Sequence, residues 1–316
     1  MAILFVSHKL EDVERLCDRV CVLRKGRSVG ERASPFDTRE LVELMFGRDV
    51  PRDAERVSIP PGRPVLTLGN ASFDDPRTPL GHIDFEVREG EIVGLAGMEG
   101  SGQLLMLEAC AGLVRPVHGS VLLHGPGGVR TVERYREFRS AGVSFIPAAR
   151  LERGLVAGLS VAEHHTLVAR EGGWFVDERS GRERARRAIG RFDIRGEPDT
   201  PVQLLSGGNQ QRMLLSLVGD ARRLVLIEHP TRGLDMESAA FVWRTLVDRC
   251  ASGTAIVFCS SDLDEILRYS DRVFVFFAGA MSGPFDAAGL SVTELGRRIG
   301  GRAGVPVRPE ATHAET

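Results

Sequence analysis

Apolar and polar residues alternate along this chain in short periods that predict strands and helices of a mixed α/β protein. Ile83, Phe85 and Val87 alternate with polar neighbours, which predicts a strand with one buried face. Residues 91–96 form an almost continuous apolar run, typical of a strand buried on both faces. Further strands are predicted around Leu66 and Leu68 and at residues 119–123, 143–146 and 224–228.

Helical stretches lie between these strands. A helix is predicted from Gly102 to about Cys110, directly after the buried strand. Residues 161 to about 192 are predicted to be largely helical, with a break near Gly172-Gly173. The predicted fold class is therefore α/β, with a domain that begins at Val65.

The first part of the chain repeats a later part. Residues 2–30 align without a gap on residues 255–283, and each copy predicts a strand, an amphipathic helix and a second strand. Convergence of two similar units is the alternative, and a gapless match of this length makes it the weaker one. The matching residues are Ala2, Ile3, Phe5, Ser7, Leu10, Asp18, Arg19, Val20, Val22, Gly26 and Gly30.

This repeat, with composition, divides the chain into four parts. Residues 1–50, which end in a predicted helix over Arg39 to Phe46, are expected to be the C-terminal remnant of a first domain. Residues 51–64 are charged and rich in proline and predict a linker. Residues 65–300 form a complete second domain, and the polar tail at 301–316 is predicted to be disordered.

Composition excludes several classes of protein. The formal net charge of −2 offers no electrostatic footprint for nucleic acid. The five cysteines form no CxxC pair, which disfavours zinc and a disulfide framework and favours buried thiols in a reducing compartment. No apolar run approaches the ~18 residues of a membrane helix, and no signal peptide is expected because Met1 leads directly into a strand pattern.

The segment LSGGNQQ at residues 205–211 is a candidate anion site. Ser206, Gly207 and Gly208 stand where a helix starts, so unpaired N–H groups and a hydroxyl can face an anion such as phosphate. The alternative is a surface turn before an ordinary helix. An apolar strand ending in Glu228 and the segment PTRGLD at residues 230–235 follow.

A second glycine-rich segment, GMEGSGQL at residues 97–104, lies between a predicted strand and a predicted helix. Its framing glycines, Gly97 and Gly102, with Gly100 between them, fit a loop whose backbone N–H groups cradle phosphates. Such a loop ends in lysine and then serine or threonine, whereas this one ends in Gln103 and Leu104.

The order of glycine-rich loop, LSGG, strand with terminal acid and PTRGLD resembles the ATP-binding cassette (ABC) family over roughly residues 64–300. The resemblance implies a P-loop NTPase cassette with an antiparallel β subdomain and a helical subdomain. By this resemblance, residues 206–208 correspond to the signature motif of the family, and the strand ending in Glu228 corresponds to the Walker B motif. The implied cofactors are ATP and Mg²⁺, with Glu228 holding the metal through water.

Several positions depart from the family pattern, and each departure removes or opposes a group that binds or hydrolyses nucleotide. Gln103 replaces the phosphate-binding lysine, and Glu99 adds a negative charge to the loop. His229 takes the place of the water-polarising carboxylate, although a neutral histidine can accept a proton. The resemblance thus implies a degenerate nucleotide site, for which weak ATP binding and no binding both stay open. The isolated chain is expected to be inactive as an ATPase.

Three further positions extend this interpretation. The switch histidine of the family is present as His8 in the first copy but falls on Ser261 in the second. Ala148 replaces the polar residue of a Q-loop-like segment at 144–150. Phe73 is a candidate for stacking on adenine, and a core phenylalanine is the alternative.

The chain combines parts of two fused cassettes with the segments LSGGNQQ and PTRGLD. In this combination it is similar to the ATPase subunits of simple-sugar and nucleoside importers. The resemblance implies transmembrane permease subunits, an extracellular substrate-binding protein and a first ABC cassette as partners, and no nucleic acid. It implies a peripheral location on the cytoplasmic face of the cell membrane. A soluble ABC protein acting on ribosomes or DNA, or a non-enzymatic truncated remnant, are the alternatives.

Overall fold

The computed structural model describes residues 2–7, 10–24, 26–46, 60–169 and 177–302. The predicted break at Gly172-Gly173, most of the linker and most of the tail lie outside the described residues. In the first part of the chain the elements are α1 (Leu10–Leu16), β1 (Arg19–Arg24), β2 (Arg27–Ala33) and α2 (Thr38–Phe46).

The second part begins with strands and then alternates strands with helices. Its first elements are β3 (Pro64–Phe73), β4 (Leu80–Arg88), β5 (Ile92–Gly97), α3 (Gln103–Cys110), β6 (His118–Gly125), β7 (Gly128–Thr131), α4 (Tyr135–Ser140) and β8 (Val143–Ile146). They are followed by α5 (Val161–Val168), α6 (Glu178–Phe192), α7 (Gly207–Leu217), β9 (Leu224–Glu228), α8 (Met236–Ala251), β10 (Ala255–Cys259), α9 (Leu263–Tyr269), β11 (Arg272–Phe277), β12 (Ala280–Asp286) and α10 (Val292–Ile299).

A six-stranded sheet in the order β12-β11-β5-β10-β9-β8 forms the centre of this part. All neighbours are parallel except the edge strand β12, which pairs antiparallel with β11. The predicted strand at 91–96 is β5, and its residues are buried because a parallel strand in the middle of a sheet is covered on both faces.

Two hydrophobic cores cover the two faces of that sheet. One face, with Val93, Leu95 and Val257, packs against α3 and a four-stranded antiparallel sheet in the order β4-β3-β6-β7. The other face, with Ile227 and Phe258, packs against helices including α7 and α8. This arrangement confirms the predicted α/β cassette with an antiparallel β subdomain and a helical subdomain.

The first part folds differently from its repeat. The strand predicted at residues 2–7 is wrong, because those residues form no secondary structure and Leu4 is 95% exposed. The antiparallel pair β1-β2 stands as a separate two-stranded sheet, with a small cluster around Leu10, Val22 and Leu41. The helix predicted over residues 39–46 is confirmed as α2.

No helix among the described residues combines the length and the apolarity that a membrane span requires. Three of the five thiols, Cys110, Cys250 and Cys259, are buried, as expected. Cys21 differs, because it lies on the exposed strand β1 of the first part.

Candidate nucleotide-binding site

The candidate site lies at the carboxyl edge of the central sheet. Since β5, β10, β9 and β8 are adjacent and parallel, their carboxyl ends meet along one edge, where α/β sheets bind ligands. The glycine-rich loop follows β5, and Glu228 ends β9. The structure therefore brings together the two segments that the sequence assigns to phosphate and metal.

The glycine-rich loop is closed by its own glutamine. Gln103 is the first residue of α3, is 8% exposed, and donates a hydrogen bond from Nε2 to the Met98 carbonyl oxygen at 3.1 Å. A Cβ at Gly97 would overlap the Gln103 side chain, and Gly102 has φ of 119°, a conformation that glycine adopts without strain. The amide side chain thus occupies the space inside the loop.

This loop is poorly suited to bind a nucleoside triphosphate. The N-terminus of α3 still offers backbone N–H groups, but Gln103 brings no positive charge and Leu104 has no hydroxyl for a metal. Glu99 is exposed in the loop and would repel phosphate. The loop therefore lacks the cation and the metal-binding hydroxyl on which hydrolysis of a bound nucleotide depends.

The carboxylate of Glu228 is engaged within the protein. Its Oε2 accepts a hydrogen bond from the Ala148 amide at 3.0 Å, so β9 and the segment after β8 are joined at the candidate site. The second carboxylate oxygen keeps acceptor capacity, which fits an indirect magnesium contact through water. Among the described residues, no group of three or more metal-ligating side chains occurs.

His229 follows Glu228 in a backbone conformation that is rare for residues with a side chain, with φ of 46°. Its amide donates to the Cys259 carbonyl oxygen at 2.9 Å, and its buried Nδ1 has no hydrogen-bond partner among the described residues. Burial lowers the pKa of His229 below its ordinary value of 6.5, although the carboxylates of Glu228 and Glu99 act in the opposite direction. The imidazole is therefore mostly neutral at pH 7, and its burial disfavours the protonated form.

The signature residues form the start of helix α7, where Ser206 is exposed and Gly207 and Gly208 are half-buried. Ser206 is its N-cap, and Ser206 Oγ accepts hydrogen bonds from the Asn209 amide at 3.4 Å and from Asn209 Nδ2 at 2.8 Å. Because this oxygen is the acceptor in both, its own proton stays available to a ligand. The amides of Gly207 and Gly208 stand in the first turn, where no intrahelical acceptor exists. This set fits a phosphate group.

Close packing explains one signature glycine. A Cβ at Gly208 would overlap Ser238 on α8. Ser238 is itself fixed by Asp235, the last residue of the PTRGLD segment, whose Oδ1 accepts from the Ser238 amide at 2.8 Å as the N-cap of α8. The signature and PTRGLD segments therefore share one corner of the molecule.

One predicted site residue, Phe73, is not part of this arrangement. Phe73 is fully buried at the end of β3 in the core, so the adenine-stacking prediction is wrong because no ring face is open to a base. His8 lies outside the described residues. Ser261, its counterpart in the repeat, is exposed directly before α9.

The structure also places residues at the site that the sequence did not single out as functional. Arg150, two residues after Ala148, donates from Nε to Gln211 Oε1 at 2.9 Å and from Nη2 to the Arg232 carbonyl oxygen. The guanidinium of Arg150 is partly buried, and this burial lowers its pKa. Its place at the end of the Q-loop-like segment 144–150 could have marked Arg150 as functional. Its hydrogen-bond acceptors could not be found in this way, because they lie far away in sequence.

A buried carboxylate lies beneath the same corner. Glu265 on α9 accepts hydrogen bonds from Thr231 Oγ1 at 2.6 Å and from Trp243 Nε1 at 2.7 Å. Burial raises the pKa of Glu265, and the hydrogen bonds that favour its charged form only partly offset that effect. Thr231 belongs to the PTRGLD segment, so this network ties that segment to α8 and α9.

The fold and the site define a nucleotide-binding cassette of the P-loop class. Residues 80–232 match the model of a family described as ABC transporter. The chain carries an ATP-binding domain of the ABC transporter family.

Relatives with curated descriptions include the ribose import ATP-binding protein RbsA of Chromobacterium violaceum, at 36% identity over 300 residues. The nucleoside import ATP-binding protein NupA of Lactococcus lactis subsp. cremoris is 32% identical over 307 residues. Both alignments cover 93% of this chain but 59% and 60% of the respective relative. The chain therefore spans less than two thirds of the length of these relatives.

Solved structures agree with the fold. The structure of an ATP-binding subunit of an ABC transporter superposes with a TM-score of 0.61 at 20% identity, covering 75% of this chain and 99% of that one. A dimeric post-hydrolysis cassette bound to ADP and Pi gives a TM-score of 0.59 at 19% identity, covering 71% of this chain and 100% of that one. At these identities the likeness concerns the fold.

Proposed function

We propose that this chain is the ATP-binding, energising subunit of an importer for simple sugars or nucleosides. The relatives named above are import proteins for ribose and for nucleosides. We place the chain on the cytoplasmic face of the cell membrane, with transmembrane permease subunits and an extracellular substrate-binding protein as partners. The alternative of a soluble ABC protein acting on ribosomes or DNA has no support from these relatives.

The observation that carries the mechanism is the contrast between the two phosphate-facing segments. At the signature, Ser206 is exposed and Gly207 and Gly208 are half-buried with no side chain over their backbone N–H groups, whereas Gln103 fills the loop at the other segment. In our proposal the signature completes a nucleotide site whose phosphate loop belongs to another cassette. ATP, with Mg²⁺, supplies the bond that is hydrolysed there, and this chain contributes hydrogen-bond donors at the γ-phosphate.

We further propose that residues 1–50 are the end of that other cassette. Elements α1, β1 and β2 correspond residue for residue to α9, β11 and β12 of the second cassette. In the second cassette the strand before α9 is β10, which lies buried between β5 and β9. The apolar residues 2–7 would take the equivalent place between two strands of the first cassette. His8 would then face the complete nucleotide site.

A groove beside the helical subdomain supports the permease assignment. A cavity of about 400 Å³ opens between β8, α4 and α7, with Tyr135, Phe145 and Leu217 among its lining residues. Tyr135 and Leu113, which both line the cavity, are 45% and 47% exposed, so they offer apolar surface to a partner. In our proposal a cytoplasmic segment of the permease covers this surface.

The decisive experiment compares two substitutions in the complete, reconstituted transporter. Ser206→Arg fills the open helix start and is expected to abolish ATP hydrolysis and transport, since loss of a transition-state donor typically costs about 100-fold or more in rate. Gln103→Ala changes a loop that already lacks its cation, so hydrolysis should change by less than about threefold.

The same proposal predicts that the purified chain alone hydrolyses ATP at background rate, because it holds no complete site. Equal damage from Gln103→Ala and Ser206→Arg would mean that the altered loop is itself catalytic. Robust magnesium-dependent ATP turnover by the isolated chain, lost on Glu228→Ala, would also contradict the proposal, because it would show that the chain holds a complete catalytic site.

A further inference from the structure

One guanidinium joins three segments of the cassette. Arg150 opens the helical turn Arg150–Gly154 after β8, and it donates to Gln211 on α7 and to the carbonyl of Arg232 after β9. Gln211 is 1% exposed, so its oxygen cannot turn to water if Arg150 is removed. Arg150 Nη1 also lies 3.4 Å from the position that a Cβ on Gly207 would take.

The other end of this short segment is attached to the altered nucleotide site. Ala148 donates its amide to Glu228 Oε2 at 3.0 Å, two residues before Arg150. A displacement of Glu228 would therefore move the Ala148 backbone. Because Arg150 is bonded to Gln211 in the second turn of α7 and lies beside Gly207 in the first, the same displacement would act on the start of the signature helix.

We propose that Arg150 is a positioning residue that couples Glu228, at the altered site, to the signature helix. This inference rests on the proposed function in one respect, namely that the signature acts on a nucleotide held by another cassette. Its physical basis is the planar guanidinium fork, which holds two acceptors in fixed directions. A lysine at this position offers a point charge and keeps at most one of the two contacts in its original geometry.

The coupling is tested first on the full chain, by amide hydrogen exchange at Asn209 and Gln210 in the first turn of α7. We expect Glu228→Ala to accelerate exchange there by about tenfold, and Arg150→Gln to do the same. The double variant should exchange no faster than Arg150→Gln alone, because the path from Glu228 is already broken. The proposal would be overturned if the two substitutions accelerated exchange independently, so that their factors multiplied in the double variant. It would also be overturned if Glu228→Ala left exchange in α7 unchanged.

Two further variants separate coupling from general loss of structure. Arg153→Gln removes an arginine from the same turn, whose partner is Glu108 on α3, and should leave the Glu228→Ala effect at α7 intact. Arg150→Lys keeps the charge and volume, so it remains informative if Arg150→Gln does not fold. Arg150→Lys is expected to reduce the response to Glu228→Ala, and a full response with lysine would contradict the role of the fork.

The second measurement uses the complete transporter. Arg150→Gln is expected to lower kcat for ATP about tenfold while KM for ATP changes by less than about twofold, since the signature acts on bound nucleotide. Arg88→Gln, which removes a half-exposed ion pair with Glu86, is the control for the loss of an arginine charge elsewhere. If Ser206→Arg left hydrolysis intact, the proposed function would fail, but hydrogen exchange on the chain alone would still decide the coupling.

Discussion

The same sequence pattern occurs twice in this molecule, and its two copies differ in what surrounds them. In the second copy, β10 is buried between two parallel strands and Phe258 is 0% exposed. In the first copy, the matching segment at residues 2–7 has no strand pairing, and Phe5 is 46% exposed. The helix and hairpin that follow have the same bounds in both copies.

This difference separates local from non-local causes of structure. A helix and a hairpin make their hydrogen bonds within the segment, so α1 and the β1-β2 pair form with only a small cluster behind them. A central parallel strand makes all its ladder hydrogen bonds to strands distant in sequence. The pattern at residues 2–7 is therefore a strand only where those neighbours are present.

The largest expected difference between the copies concerns their shared phenylalanine. Phe258→Ala should lower the free energy of unfolding by about 3–5 kcal/mol, because Phe258 is fully buried and packs edge-on against Trp243 at 4.9 Å between ring centroids. Phe5→Ala, its counterpart, should cost less than about 1 kcal/mol. Urea unfolding measures both, and equal costs would show that residues 2–7 are packed in solution.

A smaller difference is expected for the arginine that begins the next strand. Arg272 donates to the Glu91 carboxylate at 2.5 Å and to the Glu86 carbonyl at 2.7 Å, and Glu91 is 1% exposed. Arg272→Met should cost about 2–3 kcal/mol, because it leaves a buried carboxylate without its cation.

The matched control for that change is Arg19→Met in the first copy, where Arg19 is exposed. It should alter the free energy of unfolding by less than about 0.5 kcal/mol. A cost for Arg19 close to that for Arg272 would mean that the first copy has a buried partner of its own.

The smallest effect is expected in the pH dependence of stability and concerns Glu265. Its folded-state pKa is raised above the ordinary value of 4.5, so its protonated form is favoured by folding. That contribution is complete below pH 4.5 and is lost as pH rises through the raised pKa. Glu265→Gln should therefore unfold at higher urea than the unaltered chain at pH 7, with the gap closing as pH falls toward 4.5.

Asp264→Asn, on the exposed side of the same helix, is the control for the loss of a carboxylate. It should not reproduce the gain in stability to urea expected for Glu265→Gln at pH 7, because the Asp264 side chain is exposed. If the difference in stability between Glu265→Gln and the unaltered chain instead widened as pH falls, the pKa of Glu265 would be lowered by folding, contrary to the effect of burial.

Much of the second part could be predicted because its signals are local. The strand at 143–146 and the helix from Gly102 to Cys110 agree with β8 and α3 within one residue. Apolar runs and glycine-rich turns are readable within a short window of sequence. The signature and the loop also follow from local motifs, and the structure places both beside the ends of helices.

Phe73 shows where periodicity fails. With Leu66 and Leu68 facing inward, strict alternation along β3 directs Phe73 away from the core. Irregular pairing on both sides of Ala71, with Asn70 at φ of 46°, shifts the register so that Ala71 and Phe73 face inward. A bulge of this kind cannot be located from alternation alone.

The contacts of Arg150 and Glu265 were not predictable for a different reason. Both residues act through acceptors or donors on distant elements, which only the packing of α7, α8 and α9 brings near. A motif identifies which residue types occur together, whereas these partners are set by tertiary structure. The chemistry within a motif is therefore easier to predict than the connections between motifs.

The exposed run at residues 2–7 has a consequence for the lifetime of the protein in a cell. Ile3, Leu4 and Val6 are 77%, 95% and 91% exposed, and together they present an uncovered apolar surface. Chaperones and proteases act on such segments when they stay uncovered. A neighbouring segment or chain that covers this run would therefore protect the protein, because it removes the apolar surface on which chaperones and proteases act.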